Sequence, residues 1–205
     1  MYLTHYNHYN IINYSNRVNP NTGVKFNTKE EMTEHLIKCH NSVISGKDLY
    51  INLGDFSFGN ANDWKKTLDQ LIFEEAWLIQ GNHDREHQQD ILNSGFSKIY
   101  RKYWLYYHGY NILLTHKPCI TDSIFKEIES NNPNLDYDIR KSYTSISQTE
   151  YDKMNLNIHA HIHNNPREQL NKTGKHFNVS ADVLNFTPIH INDILFKMFG
   201  VDVVC

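Results

Sequence analysis

His159, His161 and His163 recur at every second position of the stretch NLNIHAHIHNNP. Neutral imidazole is the commonest metal ligand among side chains. In an extended strand, residues two apart leave the same face, so this spacing predicts a row of nitrogen donors at a strand end. With 13 histidines in 205 residues, a short cluster can also arise from composition alone. A metal centre therefore needs carboxylate or amide partners from elsewhere, and three other junctions offer them: LGDF with Asp55, GNHD with Asn82, His83 and Asp84, and LLTH with His116. Each of these pieces alone has a plainer reading as a turn, a helix cap or a loop histidine.

The elements that would position these residues follow from the apolar pattern. Residues 28–44 open with Thr28 and Glu31 at capping-box spacing, and Met32, Leu36 and Ile37 fall on one helical face. DLYINLGDF is a short apolar run that ends in Gly and Asp, as a buried strand entering a loop would. NDWKKTLDQLIFEE places Trp64, Leu68, Leu71 and Ile72 on one helical stripe, and AWLIQGNHD again runs an apolar strand into Gly. The glycines before Asp55 and Asn82 permit the backbone angles of sharp turns.

A helix over residues 85–93 leads to two strands joined near residues 108–111 and ending at His116, where Pro118 stops the ladder. Residues 121–154 read as a helix and then a polar, irregular segment. The histidine strand, a polar loop NKTGKH, a strand FNVSADV and a helix over residues 193–199 complete the chain. Alternating strands and helices with a late hairpin predict a single α/β domain over residues 1–205, with a largely mixed sheet covered by helices. In such sheets sites form beyond the carboxyl ends of strands, where every polar cluster above falls.

Composition narrows the function. The formal charge is −3 and the basic residues are scattered, so the footprint of a general nucleic-acid binder is missing. No apolar run approaches membrane-spanning length and the N-terminus lacks the pattern of a signal peptide, which predicts a cytoplasmic protein without a membrane partner. Cys39, Cys119 and Cys205 lie far apart with no CxxC pair, which argues against a disulfide framework or a thiolate zinc site. The aromatic stretch YWLYYHGY is read as a hairpin packed on the sheet rather than a base-stacking platform.

The ordered set GD, GNHD, H and HxH resembles the calcineurin-like metallophosphoesterase superfamily, and in particular its small single-domain phosphoesterases. The resemblance runs from NIINYSNRV through YINLGDFSFG, LIQGNHDR, LLTHKP and HAHIHN to NVSADVLNFTPI. It implies a β-sandwich of mixed sheets flanked by helices, and two divalent ions that activate a water to hydrolyse a phosphodiester or phosphomonoester. On this chain it implies that Asp55 bridges the ions, one oxygen to each. Asn82, His116 and His161 would complete one ion, and His5 and His163 the other. His83 would protonate the leaving oxygen or hold the phosphate, with Asp84 orienting or polarising it. His159 would be structural.

Asn82, His83 and Arg85 would contact substrate, and Arg17 and Lys117 lie near motif ends where they could meet phosphate. Mn, Fe, Ni or Zn suits such mixed N/O donors. With no room for a large cap domain, the expected partner is a small phosphate ester or nucleotide, or a nucleic acid as substrate only.

The chain departs from the family's first motif, Asp-x-His. It begins MYLTHYNH, so either Leu3 stands at the aspartate's place or that residue is deleted just before His5. Ala160 also stands where a glycine is usual. The His5/His163 site is therefore expected to be weak or empty and activity reduced. The alternative is a catalytically impaired family member that binds metal or nucleotide in a regulatory or structural role.

Overall fold

The computed structural model describes residues 1–84, 88–131, 139–165 and 174–203. Its elements are α1 (Tyr9–Tyr14), α2 (Lys29–Val43), β1 (Leu49–Asn52), α3 (Ala61–Leu68), β2 (Glu75–Ile79), α4 (Gln88–Ser94), β3 (Lys98–Tyr100), β4 (Lys102–Tyr107) and β5 (Tyr110–Thr115). These are followed by β6 (Cys119–Ile120), α5 (Asp122–Asn131), β7 (Thr144–Ser145), α6 (Gln148–Lys153), β8 (Leu156–His159), β9 (His176–Asn178) and α7 (Ile191–Phe199). The fold is mixed α/β. A parallel sheet is ordered β1-β2-β3, a mixed sheet is ordered β4-β5-β8-β9, and β6 pairs with β7.

The parallel sheet needs crossovers, and α3 and α4 supply them. In the mixed sheet, β4 and β5 pair antiparallel across a two-residue turn in which His108 and Gly109 both have positive φ. A twisted hairpin favours that turn geometry. Alternation along β1 divides its side chains between two cores. Tyr50 packs with Met32 and Leu36 of α2 and Trp64 of α3. Ile51, with Ile79 of β2, joins Ile112, Leu114, Leu156 and Ile158 of the mixed sheet and Ile194 and Leu195 of α7.

The N-terminus ties the two larger sheets together. Tyr2 bridges Asn52 and Leu3 bridges Ser180, both in parallel register. This aligns the segment ending in His5 with the carboxyl ends of β1 and β9.

Several boundaries differ from the sequence reading. Helix α2 has the expected N-cap, since Thr28 accepts from Glu31 N, but the Glu31 carboxylate caps Asn27 N instead of closing the reciprocal box. Helix α3 stops at Leu68; Leu71 still enters the core while Ile72 is exposed, because the chain turns there towards β2. The strand expected over FNVSADV ends at Asn178, and residues 181–186 form turns. Helix α1 lies in a stretch to which the sequence reading gave no element and α6 in one read as irregular, although Ser147 and Glu150 form a complete capping box before α6. Helix α4 begins at Gln88; residues 85–87, including Arg85, lie outside the described residues, as do residues 171–173 of NKTGKH and Cys205. Among the described residues no helix is long and apolar enough to cross a membrane.

Candidate metal centre

Two loops at the carboxyl ends of β1 and β2 are pressed together. A Cβ on Gly54 would lie 2.7 Å from Gly81 Cα, and one on Gly81 would lie 2.5 Å from Asp55 N. Gly54 also has φ +94°, whereas Gly81 is required by close approach alone. The Asp84 carboxylate locks this junction, accepting from Asp55 N at 2.8 Å, Phe56 N at 3.0 Å and Gly81 N at 2.7 Å. Both its oxygens are thereby used, and among the described residues no hydrogen bond joins it to the His83 imidazole. Backbone donors thus take both Asp84 oxygens, and the carboxylate holds the two loops in register.

Asp55 itself has φ +49°, a left-handed conformation that is costly outside glycine and is held here by the Asp84 bonds. Its Oδ1 accepts from His83 N at 2.8 Å. Its Oδ2 faces His116 Nε2 at 3.2 Å and His5 Nε2 at 3.8 Å. The division of one oxygen to each side is thus replaced by a single oxygen directed at both imidazoles.

His116, just past β5, fixes the chemistry of the centre. Its Nδ1 lies 2.7 Å from the Leu53 carbonyl, which can only accept, so that nitrogen carries the hydrogen. Nε2 then meets Asn82 Oδ1 at 3.0 Å, His161 Nδ1 at 3.0 Å and Asp55 Oδ2. Four lone-pair atoms from four loops converge with at most one shared hydrogen among them. Such a set is stable around a cation and frustrated without one. The carboxylate and two imidazoles meet the geometric requirement of a metal-holding group, with ligand atoms all within 4.8 Å of one another.

Charge follows the same logic. Burial disfavours the ionised Asp55, but the hydrogen bond and charge of His116, then His5 and the His83 N–H, hold its carboxyl well below the usual range. Burial pulls His116 down, yet its bond to Asp55 outweighs this and raises it. Burial and then His116 push His161 down to about 3, which keeps its lone pair free near neutrality. Asp84 is pushed up to about 6, mainly by burial and next by the Asp55 charge.

The other side of Asp55 is built differently. His5 is 2% exposed and neither ring nitrogen has a hydrogen-bond partner among the described residues; burial drives it well towards the neutral form. Its ring lies 5.0 Å from His163 and 6.4 Å from His83, centroid to centroid. His163 Nδ1 is 2.5 Å from Asp182 Oδ2, and Asp182 Oδ1 takes Arg17 Nε at 2.6 Å. Among the described residues these groups do not close into a second metal-holding set. Leu3 belongs to the apolar cluster shared by the two sheets.

The same-face expectation for the histidine row fails beyond His159. β8 ends there, and His161 and His163 both have positive φ, so turns and not a strand aim their rings. His159 is buried, 5.9 Å from His176 between ring centroids, apart from the centre. Arg17, read as a phosphate contact, is 1% exposed and bound to Asp182. Lys117 donates to the Lys141 carbonyl. Asn82 and His83 are exposed, and His83 lines an open cleft of about 630 Å³ whose walls include His5, His8, Phe58, His161 and His163.

The sequence reading missed His8, which stacks on Phe58 at 3.5 Å, and Asp182. The only signal for Asp182 was an acid within the otherwise small or apolar NVSADV.

The fold and site define a mixed α/β protein with a buried aspartate–histidine cluster at the carboxyl ends of its strands. No family model matches the chain. The uncharacterized protein MJ1445 of Methanocaldococcus jannaschii is 30% identical over 200 residues, covering 95% of this chain and 86% of that protein, and the chain belongs to its family. The crystal structure of the protein of unknown function AQ665 from Aquifex aeolicus shares the fold, with a TM-score of 0.62 at 21% identity over 95% of this chain and 96% of that one.

Proposed function

We propose that the protein is a metal-dependent phosphoesterase of the calcineurin-like metallophosphoesterase type, built on that superfamily's β-sandwich and hydrolysing a phosphodiester or phosphomonoester. The observation that carries this reading is the convergence of Asp55 Oδ2, Asn82 Oδ1 and His161 Nδ1 on His116 Nε2. The ordered motifs that supply these atoms support it. Mn, Fe, Ni or Zn fits one carboxylate, one amide and two imidazoles.

A divalent ion held there supplies positive charge to phosphate oxygens and lowers the pKa of a water. The protein's own groups do the rest. Asp84 fixes the Gly54–Asp55 and Gly81 backbones so that Asp55 and Asn82 present their oxygens without rearrangement. The His83 N–H anchors Asp55 Oδ1, while its exposed imidazole stands on the cleft wall, placed to give a proton to a leaving oxygen. The cleft is open enough for a small phosphate ester, a nucleotide or the end of a nucleic acid.

The test is hydrolysis of p-nitrophenyl phosphate and bis-p-nitrophenyl phosphate with Mn²⁺ or Ni²⁺. We expect metal-dependent turnover that falls by roughly 10²- to 10⁴-fold in His83→Ala, the usual worth of a positioned proton donor. Turnover indifferent to His83 in every metal would leave a metal-binding protein without this catalysis.

A further inference from the structure

The side of Asp55 opposite His116 carries the chemistry for a different occupant. Asp182 is the carboxylate bonded to His163, and both its oxygens are engaged, Oδ1 by Arg17 Nε and Oδ2 by His163 Nδ1. The Arg17 and Asp182 side chains are 0% and 3% exposed. Arg17 also donates from Nη1 to the carbonyl of Thr4, the residue before His5, at 2.8 Å, so its charge is seated beside the His5/His163 pair. Leu3, one of the two places the sequence offered for a further carboxylate, is turned into the apolar core.

Resting on the metal-centre reading above, we propose that this chain holds one divalent ion, at Asp55, Asn82, His116 and His161, and that the Arg17 guanidinium, clamped by Asp182, takes the place of a second. Charge balance is the argument. Among the described residues the buried carboxylates of this region are Asp55, Asp84 and Asp182, and one divalent ion together with Arg17 neutralises all three. A second divalent ion would add two charges beside the buried His5 and the buried Asp182 carboxylate with no anion among the described residues left to balance them, a cost that favours leaving the place empty. The unpartnered nitrogens of His5 offer such an ion donors but no charge. With Asp182 bound to Arg17 and His163, no further buried carboxylate oxygen among the described residues is free to meet it. His5 and His163 are left as walls of the cleft.

The experiment is Mn²⁺ titration of the full chain, followed by stoichiometry after dialysis and by electron paramagnetic resonance, with phosphoesterase turnover measured on the same samples. One equivalent and the spectrum of an isolated ion are expected. Arg17→Met, similar in length and without charge, frees Asp182 Oδ1 and should take up a second equivalent with a spin-coupled spectrum. Two equivalents of comparable affinity in the unmodified chain, or a coupled spectrum there, would overturn the proposal. If Arg17→Met does not fold, the unmodified chain decides alone. One ion without turnover would sink the enzymatic reading and leave this one standing; turnover appearing only as a second ion binds would do the reverse; no ion at all would remove both.

Discussion

Asp55 divides the centre into two sides made of the same kinds of side chain. On one side His116 and His161 bring ring nitrogens to Asp55 and Asn82 with no lysine or arginine in the set. On the other His5 and His163 are backed by a complete ion pair, Arg17 with Asp182. The first arrangement is unsatisfied until a cation arrives, and the second already contains its cation. Imidazoles alone therefore do not make a metal site; what matters is whether the nearby carboxylate charge is still unspent.

Removing His116 should break this contrast most completely. His116→Ala deletes the atom on which three others converge, and we expect loss of measurable Mn²⁺ binding by calorimetry, whereas His163→Ala should leave the tight site in place. A comparable result for both variants would erase the distinction.

Next in size is the internal ion pair. Asp182→Asn leaves a buried guanidinium without its partner and should cost about 3–5 kcal/mol in urea unfolding. Arg17, with His163, holds the Asp182 carboxyl at about 2 against burial, below its ordinary 3.8. A carboxyl depressed on folding stabilises the fold above its unfolded value and loses that contribution as pH falls. Unfolding at graded pH should therefore show about 2 kcal/mol disappearing between pH 4 and pH 2, and this dependence should be absent in Asp182→Asn.

Gly81→Ala tests the loop contact under both sides. The added Cβ meets Asp55 N at 2.5 Å, so the loops must part; about 1–3 kcal/mol of stability and tight metal binding should be lost together. The smallest effect is the control. Thr28→Ala removes the N-cap of α2, remote from the centre, and should cost about 1 kcal/mol in thermal unfolding with metal affinity unchanged.

The parts of the structure legible in the sequence are those set by local pattern. The apolar runs of β1, β2 and β5, each ending just before a polar motif, appear where expected, as does the capped start of α2. Asp55, Asn82, His116 and His161 could be gathered because each follows its own strand directly. What escaped depends on contacts between segments far apart in the chain. Asp182 reads as a surface acid until Arg17, 165 positions earlier, is found against it. The histidine row looked like one strand face because the alternation of His159, His161 and His163 matches a strand; positive φ at the last two cannot be read from side-chain type. The stop of α3 at Leu68 was hidden because Leu71 stays apolar for the core after the helix has ended.

The central claim is that Asp55 Oδ2, Asn82 Oδ1, His116 Nε2 and His161 Nδ1 form one cation pocket. Anomalous diffraction from crystals grown with Mn²⁺ or Zn²⁺ tests it most directly. The account predicts a strong peak within bonding distance of all four atoms; a crystal in which the metal sits elsewhere, or in which this pocket stays empty at saturating metal, would contradict it.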